Sequence, residues 1–254
     1  MGKLLLNVYL FVAFTVLTLV GLAVLPLILL INVIFLSRTL ATGMRLAIGY
    51  YGWILVRIVP FFEPVTIEWK TKELPSTAIL VANHNSAIDP YLFGALDLQN
   101  SFVTTWPFNI PIYGGIMRLA GYVNAGEGWD KVQEKCVNLL ESGCSVTIWP
   151  EGHRSHDGKL GRFKNGAFVL ATETGYPIVP ICILGSGRVL PPGKRLLSPG
   201  KVKLVVLDPV YPGTGSKKQE IVRNMRTHTQ TIIKQALQEN GHFQENSAEC
   251  CGCS

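Results

Sequence analysis

Residues 4 to 36 form an almost unbroken apolar run, from Leu4-Leu5-Leu6 through Val8 to Leu25 and from Leu27 to Leu36, with no charged side chain inside it. Crossing the hydrocarbon core of a bilayer takes about 20 such residues, so this segment does not belong in water. A signal-peptide core has roughly 7–15 apolar residues and a small-residue cleavage site. This run is longer and has no such site, which predicts that it is retained. Pro26 offers a place for a kink. Residues 1 to 60 contain no Asp or Glu, and the cations are Lys3, Arg38, Arg45 and Arg57. Their bias to the far side of the run places the rest of the chain on the cytoplasmic side. Leu46 to Phe62, with Tyr50, Tyr51, Trp53, Phe61 and Phe62, is a second apolar and aromatic stretch suited to the membrane interface. Two arrangements fit equally: a spanning helix followed by a buried helix, or a helical hairpin dipping into one leaflet.

Composition agrees. The 254 residues are 48% hydrophobic and 16% charged, against about 25% charged in a typical soluble domain. The net charge of +6 suits nucleic acid, anionic lipid or a phosphate-rich co-substrate. No nucleic-acid-binding motif is present, so an anionic membrane surface is the better partner.

Beyond residue 62 the pattern alternates. Val65 to Trp69, Ala78 to Ala82, Phe102 to Thr105, Val146 to Trp149, Ile178 to Ile183 and Val202 to Leu207 read as strands. Trp129 to Ser142 reads as a helix with Val132, Cys136, Leu139 and Leu140 on one face and Gly143 ending it. Asn165 to Thr174 is another, closed by Gly175. Ser216 to Asn240 is a long polar helix with Ile221, Met225, Ile232, Ile233 and Leu237 as its packing side. Such alternation predicts an α/β fold: a mixed, largely parallel sheet flanked by helices, with an N-terminal membrane-embedded helix or two-helix hairpin. The expected division is an anchor over 1–62, a catalytic domain over 63–240 and a flexible Cys-ending tail over 241–254.

Two polar turns follow apolar strands in this body. The first is Asn83-His84-Asn85-Ser86-Ala87-Ile88-Asp89-Pro90. It puts His84 at the carboxyl end of a strand, where open α/β sheets place their chemistry. The Asn-Ser turn lets the Asp89 carboxylate fold back toward the imidazole. Such a pair is the minimum for a general base: His takes a proton, and Asp fixes its tautomer. In isolation, the better reading of such a spacing is a His near a helix start and an Asp that only caps it. The second turn is Thr147-Ile148-Trp149-Pro150-Glu151-Gly152-His153-Arg154-Ser155. Glu151 there suits either acceptor hydroxyls or loop N–H groups, and Arg154 suits phosphate.

Together these blocks resemble the glycerolipid acyltransferases, the 1-acylglycerol-3-phosphate acyltransferases and their relatives. That family carries Asn-His-x4-Asp, then Phe-Pro-Glu-Gly-Thr-Arg-Ser, then an apolar strand with a Val-Pro pair. Here Trp149 replaces the Phe, His153 replaces the Thr, and Ile178-Val179-Pro180-Ile181 supplies the third block. The resemblance covers roughly residues 63 to 212. It implies His84 and Asp89 as catalytic residues, and Asn83, Glu151, Gly152, Arg154, Ser155 and Pro180 as substrate-binding ones. It further implies transfer of a fatty acyl group from acyl-CoA or acyl-carrier protein to a lysophospholipid hydroxyl, with no cofactor beyond that co-substrate. Lysophosphatidic acid is the expected acceptor. A CoA-independent transacylase would share the His-Asp pair, and a non-catalytic lipid-binding protein would not need it.

One departure concerns the acceptor. Many phosphate-accepting relatives carry lysine near Lys-x-Glu-Leu and an Ile-Asp-Arg after the next glycine. This chain has Thr104-Thr105-Trp106-Pro107 and Gly121-Tyr122-Val123-Asn124-Ala125. Arg118 is the candidate substitute for the missing cations. Basic runs from Arg154 to Lys164 and from Arg188 to Lys203 suit anionic lipid or the phosphates of a co-substrate.

Other motifs carry less. Gly187 to Lys194 has glycines one residue too far apart for a phosphate loop, and Arg195 where Ser or Thr belongs. Gly185-Ser186-Gly187 is not a nucleophile elbow. Cys136, Cys144 and Cys182 read as buried thiols. Cys250, Cys251 and Cys253 make a poor prenylation box, and with His242 they fit no zinc spacing. With no sequon and no disulfide framework, the body is expected in a reducing compartment. That means the endoplasmic reticulum membrane in a eukaryote, or the inner membrane in a bacterium.

Overall fold

The computed structural model describes residues 2–57, 65–96, 98–155, 158–214 and 217–241. Phe61, Phe62, His242 and the terminal cysteines lie outside these residues.

Two helices open the chain, α1 (Lys3–Ile34) and α2 (Leu40–Arg57). α1 runs through Pro26 as one element and is long and apolar enough to cross a membrane. It does not leave the body, however. Near its start, Asn7 Nδ2 donates to the Leu197 carbonyl at 2.9 Å, and Leu197 N donates to Asn7 Oδ1 at 2.8 Å. Midway, Thr18 and Tyr51 share a hydroxyl hydrogen bond of 2.7 Å. Near its end, a Cβ on Gly43 of α2 would sit 3.1 Å from Asn32. The structure therefore shows a hairpin laid along the body, with Leu4, Phe11, Leu19 and Leu27 turned outward.

The body is a seven-stranded sheet: β1 (Thr66–Trp69), β2 (Ile79–Ala82), β3 (Asn100–Thr104), β4 (Val123–Asn124), β5 (Ser145–Ile148), β6 (Ile178–Leu184) and β7 (Lys203–Val206). Their spatial order is β1-β7-β6-β2-β5-β3-β4. All neighbouring pairs are parallel except β6 with β7, as the strand–helix alternation predicts. Two-residue β4 has no sequence signature of its own. It forms because Val123 and Asn124 pair with Val103 and Thr104 at the sheet edge.

Strand periodicity fills both faces. Leu80 and Ala82 join the core on the side of α2, α3 (Asp89–Leu92) and α4 (Tyr113–Leu119). Ile79 and Val81 face α5 (Trp129–Glu141), α6 (Gly166–Thr174) and α8 (Lys218–Glu239). The short α7 (Ser186–Val189) follows β6. α5 buries Val132, Cys136 and Leu140 as expected, with Leu139 at the flank. On α8 the buried stripe is Val222, Met225, Thr229, Ile233 and Ala236. Ile221, Ile232 and Leu237 flank it, because the helical angle decides the packing line and small residues let the helix approach.

Candidate active site

β2 and β5 are parallel neighbours, with Val81 opposite Ile148. Their carboxyl ends therefore deliver the His84 and Glu151 turns side by side. Asp89 opens α3 and is fully buried. Its Oδ2 lies 2.8 Å from His84 Nδ1, and also accepts 2.8 Å bonds from Asn85 N and Ser86 N. An oxygen that already accepts two N–H bonds acts as acceptor toward the ring as well. This places the imidazole proton on Nδ1 and leaves the Nε2 lone pair outward, a tautomer assigned from the network. Asp89 Oδ1 is buried without a partner among the described residues.

Two further supports hold His84. Its backbone N–H donates to Glu151 Oε1 at 3.1 Å, and its carbonyl accepts from Ser155 N at 2.8 Å. Its ring stacks on Trp149, centroids 4.3 Å apart and planes 18° from parallel. Phe93 meets Trp149 edge-on and Phe102 stacks at 6.4 Å. The sequence placed Trp149 in the motif but gave no sign of this stack.

The other motif residues divide by direction. Glu151 is buried, and its Oε2 accepts from Gly161 N at 2.7 Å. Both of its oxygens hold backbone, which is the loop-holding alternative rather than substrate binding. Gly152 has φ +77, a backbone conformation that favours glycine. Ser155 is buried, with its hydroxyl on the Lys159 carbonyl at 2.9 Å. Asn83 is buried, and its amide is taken up by bonds of 2.9 and 2.7 Å with the backbone of Ile183. Strand alternation turns it across the sheet end, away from His84. Pro180 is buried inside β6 opposite Val81, a packing position rather than a substrate contact. Arg154 is exposed. Arg118 is exposed on α4, over the Phe108 ring at 6.0 Å.

Thr104 and Asn124 are register partners at the ends of β3 and β4, so Thr105 and Ala125, where the usual cations are missing, follow side by side at the sheet edge. In the turn after β4, a 2.5 Å bond from Lys135 holds the Glu127 carboxyl below the usual carboxylate range. Lys131 and Arg118 add to that effect.

A cavity of about 420 Å³ lies between α2, α3, α4 and β3, with Gly49, Trp53, Tyr91, Phe102, Thr104 and Trp149 in its wall. Trp149 thus joins the cavity to the imidazole. Three cysteines are buried as expected. Burial pushes the Cys136 and Cys182 thiols up to about 12 and raises that of Cys144, the opposite of an activated nucleophile. Among the described residues no cluster of metal-ligating side chains occurs.

The acyltransferase family model matches residues 66–184. The chain is 33% identical over 190 residues to 1-acyl-sn-glycerol-3-phosphate acyltransferase BAT2, chloroplastic, of Brassica napus, covering 71% of this chain and 55% of that protein. It is 36% identical over 184 residues to LPAT1, chloroplastic, of Arabidopsis thaliana, a protein of the same description, covering 69% and 50%. The Escherichia coli 1-acyl-sn-glycerol-3-phosphate acyltransferase is 26% identical over 203 residues, covering 76% and 80%. The chain thus spans about half the length of the two chloroplastic relatives. The crystal structure of the 1-acyl-sn-glycerophosphate acyltransferase PlsC from Thermotoga maritima shares the fold, with TM-score 0.70, 24% identity, and coverage of 93% and 96%. Motif order, strand-end geometry and these identities agree: the chain belongs to the 1-acylglycerol-3-phosphate acyltransferase family of glycerolipid acyltransferases.

Proposed function

We propose that this protein transfers a fatty acyl group from a thioester, acyl-CoA or acyl-carrier protein, to the free hydroxyl of 1-acylglycerol-3-phosphate, giving phosphatidic acid. The observation that carries the reading is the buried Asp89 on His84 Nδ1, which leaves Nε2 as a base at the sheet's carboxyl end. His84 Nε2 takes the hydroxyl proton as the oxygen attacks the thioester carbonyl. The tetrahedral intermediate collapses, the C–S bond breaks, and the leaving thiolate takes the proton back from the imidazolium. No acyl-enzyme and no further cofactor enter this scheme. The apolar cavity beside Trp149 suits an acyl chain, and Arg154 and Arg118 suit the acceptor phosphate.

The outer face of α1 suits burial in one leaflet, with the body on the cytoplasmic side. The endoplasmic reticulum or a bacterial inner membrane is the expectation from sequence, whereas two relatives are named chloroplastic. Fractionation of a tagged chain decides the organelle.

One observation favours a second acceptor. Thr105 and Ala125 leave the sheet edge without its usual cations, which suits a phosphodiester or uncharged lysolipid. Purified protein with oleoyl-CoA and a panel of lysolipids, read by mass spectrometry, tests both. Phosphatidic acid as dominant product supports the first reading, and equal use of lysophosphatidylcholine supports the second. Transfer from labelled phospholipid without thioester would replace both with a transacylase. Wild-type activity in His84→Ala would remove the catalytic scheme.

A further inference from the structure

The body exposes large apolar side chains on one segment next to the hairpin. They are Trp106 (71% exposed) in the 3-10 turn Trp106–Asn109, Ile112 (79%) before α4, and Leu119 (51%) at its end. Ile112 stands just before α4 and Leu119 ends it, while half-buried Ile116 between them packs against the core. Ile112 has φ +66, a conformation that a β-branched residue seldom adopts. Glycine would relieve that strain, yet the position keeps an apolar side chain turned to the outside.

This segment adjoins the hairpin. Arg45 Nη1 of α2 donates to the Ala120 carbonyl at 2.9 Å, and a Cβ on Gly121 would lie 3.8 Å from the Ala41 Cβ. The end of α4 therefore abuts the start of α2, where Phe35, Leu36 and Leu40 are also exposed. Exposed Arg38 and Arg118 stand in the same two segments and suit anionic headgroups. The segment also walls the cavity, through Thr104, Pro107, Tyr113 and Met117.

We propose that α4 and the turn before it form a second membrane foot. Trp106, Ile112 and Leu119 enter the headgroup region of the leaflet that takes the outer face of α1, and hold this wall of the cavity at the lipid surface. The proposal rests on the reading of α1 as a membrane element and of the cavity as part of an acyltransferase.

The test uses the full chain with vesicles of phosphatidylcholine and anionic phosphatidylglycerol. In vesicles with brominated acyl chains, the quenching lost on Trp106→Phe reports Trp106, and the expected result is a clear loss. Combined Ile112→Asp and Leu119→Asp is expected to raise KM for vesicle-borne acceptor about ten-fold or more. The same variant keeps wild-type kcat/KM for a short-chain acceptor and donor below their micellar concentrations. Identical quenching in wild type and Trp106→Phe, or unchanged vesicle kinetics in the double variant, overturns the foot. A variant that alters only the oligomeric state on size exclusion also overturns it, in favour of a contact between copies. If the wild type is inactive on soluble and vesicle substrates alike, the proposed activity fails, and quenching alone decides the foot.

Discussion

On the base side of the site, His84 is held at its ring edge, ring face, backbone N–H and backbone carbonyl by Asp89, Trp149, Glu151 and Ser155. On the proposed acceptor side, Arg154 and Arg118 are exposed, and the sheet edge between β3 and β4 carries Thr104 and Asn124. Groups that move a proton gain from being fixed before the reaction, since orientation is then settled in advance. Groups that recognise a headgroup at a lipid surface work in water, and exposed long side chains suffice there. The difference implies that the two sides respond to substitution differently: the base side through kcat and stability, the acceptor side through KM.

The largest expected effect is on turnover. His84→Ala should lower kcat by about 10²–10⁴-fold with an unchanged circular-dichroism spectrum. A fall of less than ten-fold would place the base elsewhere.

Glu151→Ala comes next and strikes stability first. It strips the acceptor from the N–H groups of His84 and Gly161, at about 1–3 kcal/mol for each group left unpaired. Its Tm should drop by several degrees and kcat should follow, as thermal melts and rates on one preparation will show. Unchanged Tm with raised KM would return Glu151 to the substrate.

Arg154→Ala acts on the other side. Losing a charge-assisted hydrogen bond costs about 1.5–3 kcal/mol, so KM for lysophosphatidic acid should rise about ten- to a hundred-fold while kcat holds. Arg118→Ala should do the same if Arg118 replaces the missing cations. If it does not, and a phosphodiester lysolipid is used equally well, the phosphate clamp is absent.

The smallest effect belongs to Trp149. Aromatic stacking contributes about 0.5–1.5 kcal/mol, so Trp149→Leu should cost a few-fold to about ten-fold in kcat. Trp149→Phe, which restores the ring found in relatives, should recover most of it.

How much of this was legible in the sequence depends on the range of each contact. The His84–Asp89 pair spans five residues on one turn, so its spacing revealed it. Glu151 was ambiguous because its donors lie 67 and 10 residues away, and a carboxylate looks the same whichever N–H groups it meets. For Asn83 and Pro180 the substrate role is implied only by their places in the family motifs. Strand alternation turns one toward Ile183, and burial inside β6 removes the other. The six longer strands showed as apolar runs, whereas β4 was too short to show. The cavity was invisible because α2, α3, β3 and α4 assemble it from separate parts of the chain. The contacts of Asn7 and Gly43 lay α1 along the body and α2, and they were invisible in the sequence because their partners lie 190 and 11 residues away.

The most direct test of the account is kcat and KM of Asp89→Asn for lysophosphatidic acid with oleoyl-CoA. Asparagine keeps the shape and can still present an oxygen to the three donors, but it lacks the negative charge that stabilises the imidazolium formed when His84 takes the proton. The account expects kcat to fall by about 10²-fold or more while KM stays near wild type. Near-normal kcat would contradict it, leaving Asp89 as a helix-start residue and His84 without the partner that makes it a base.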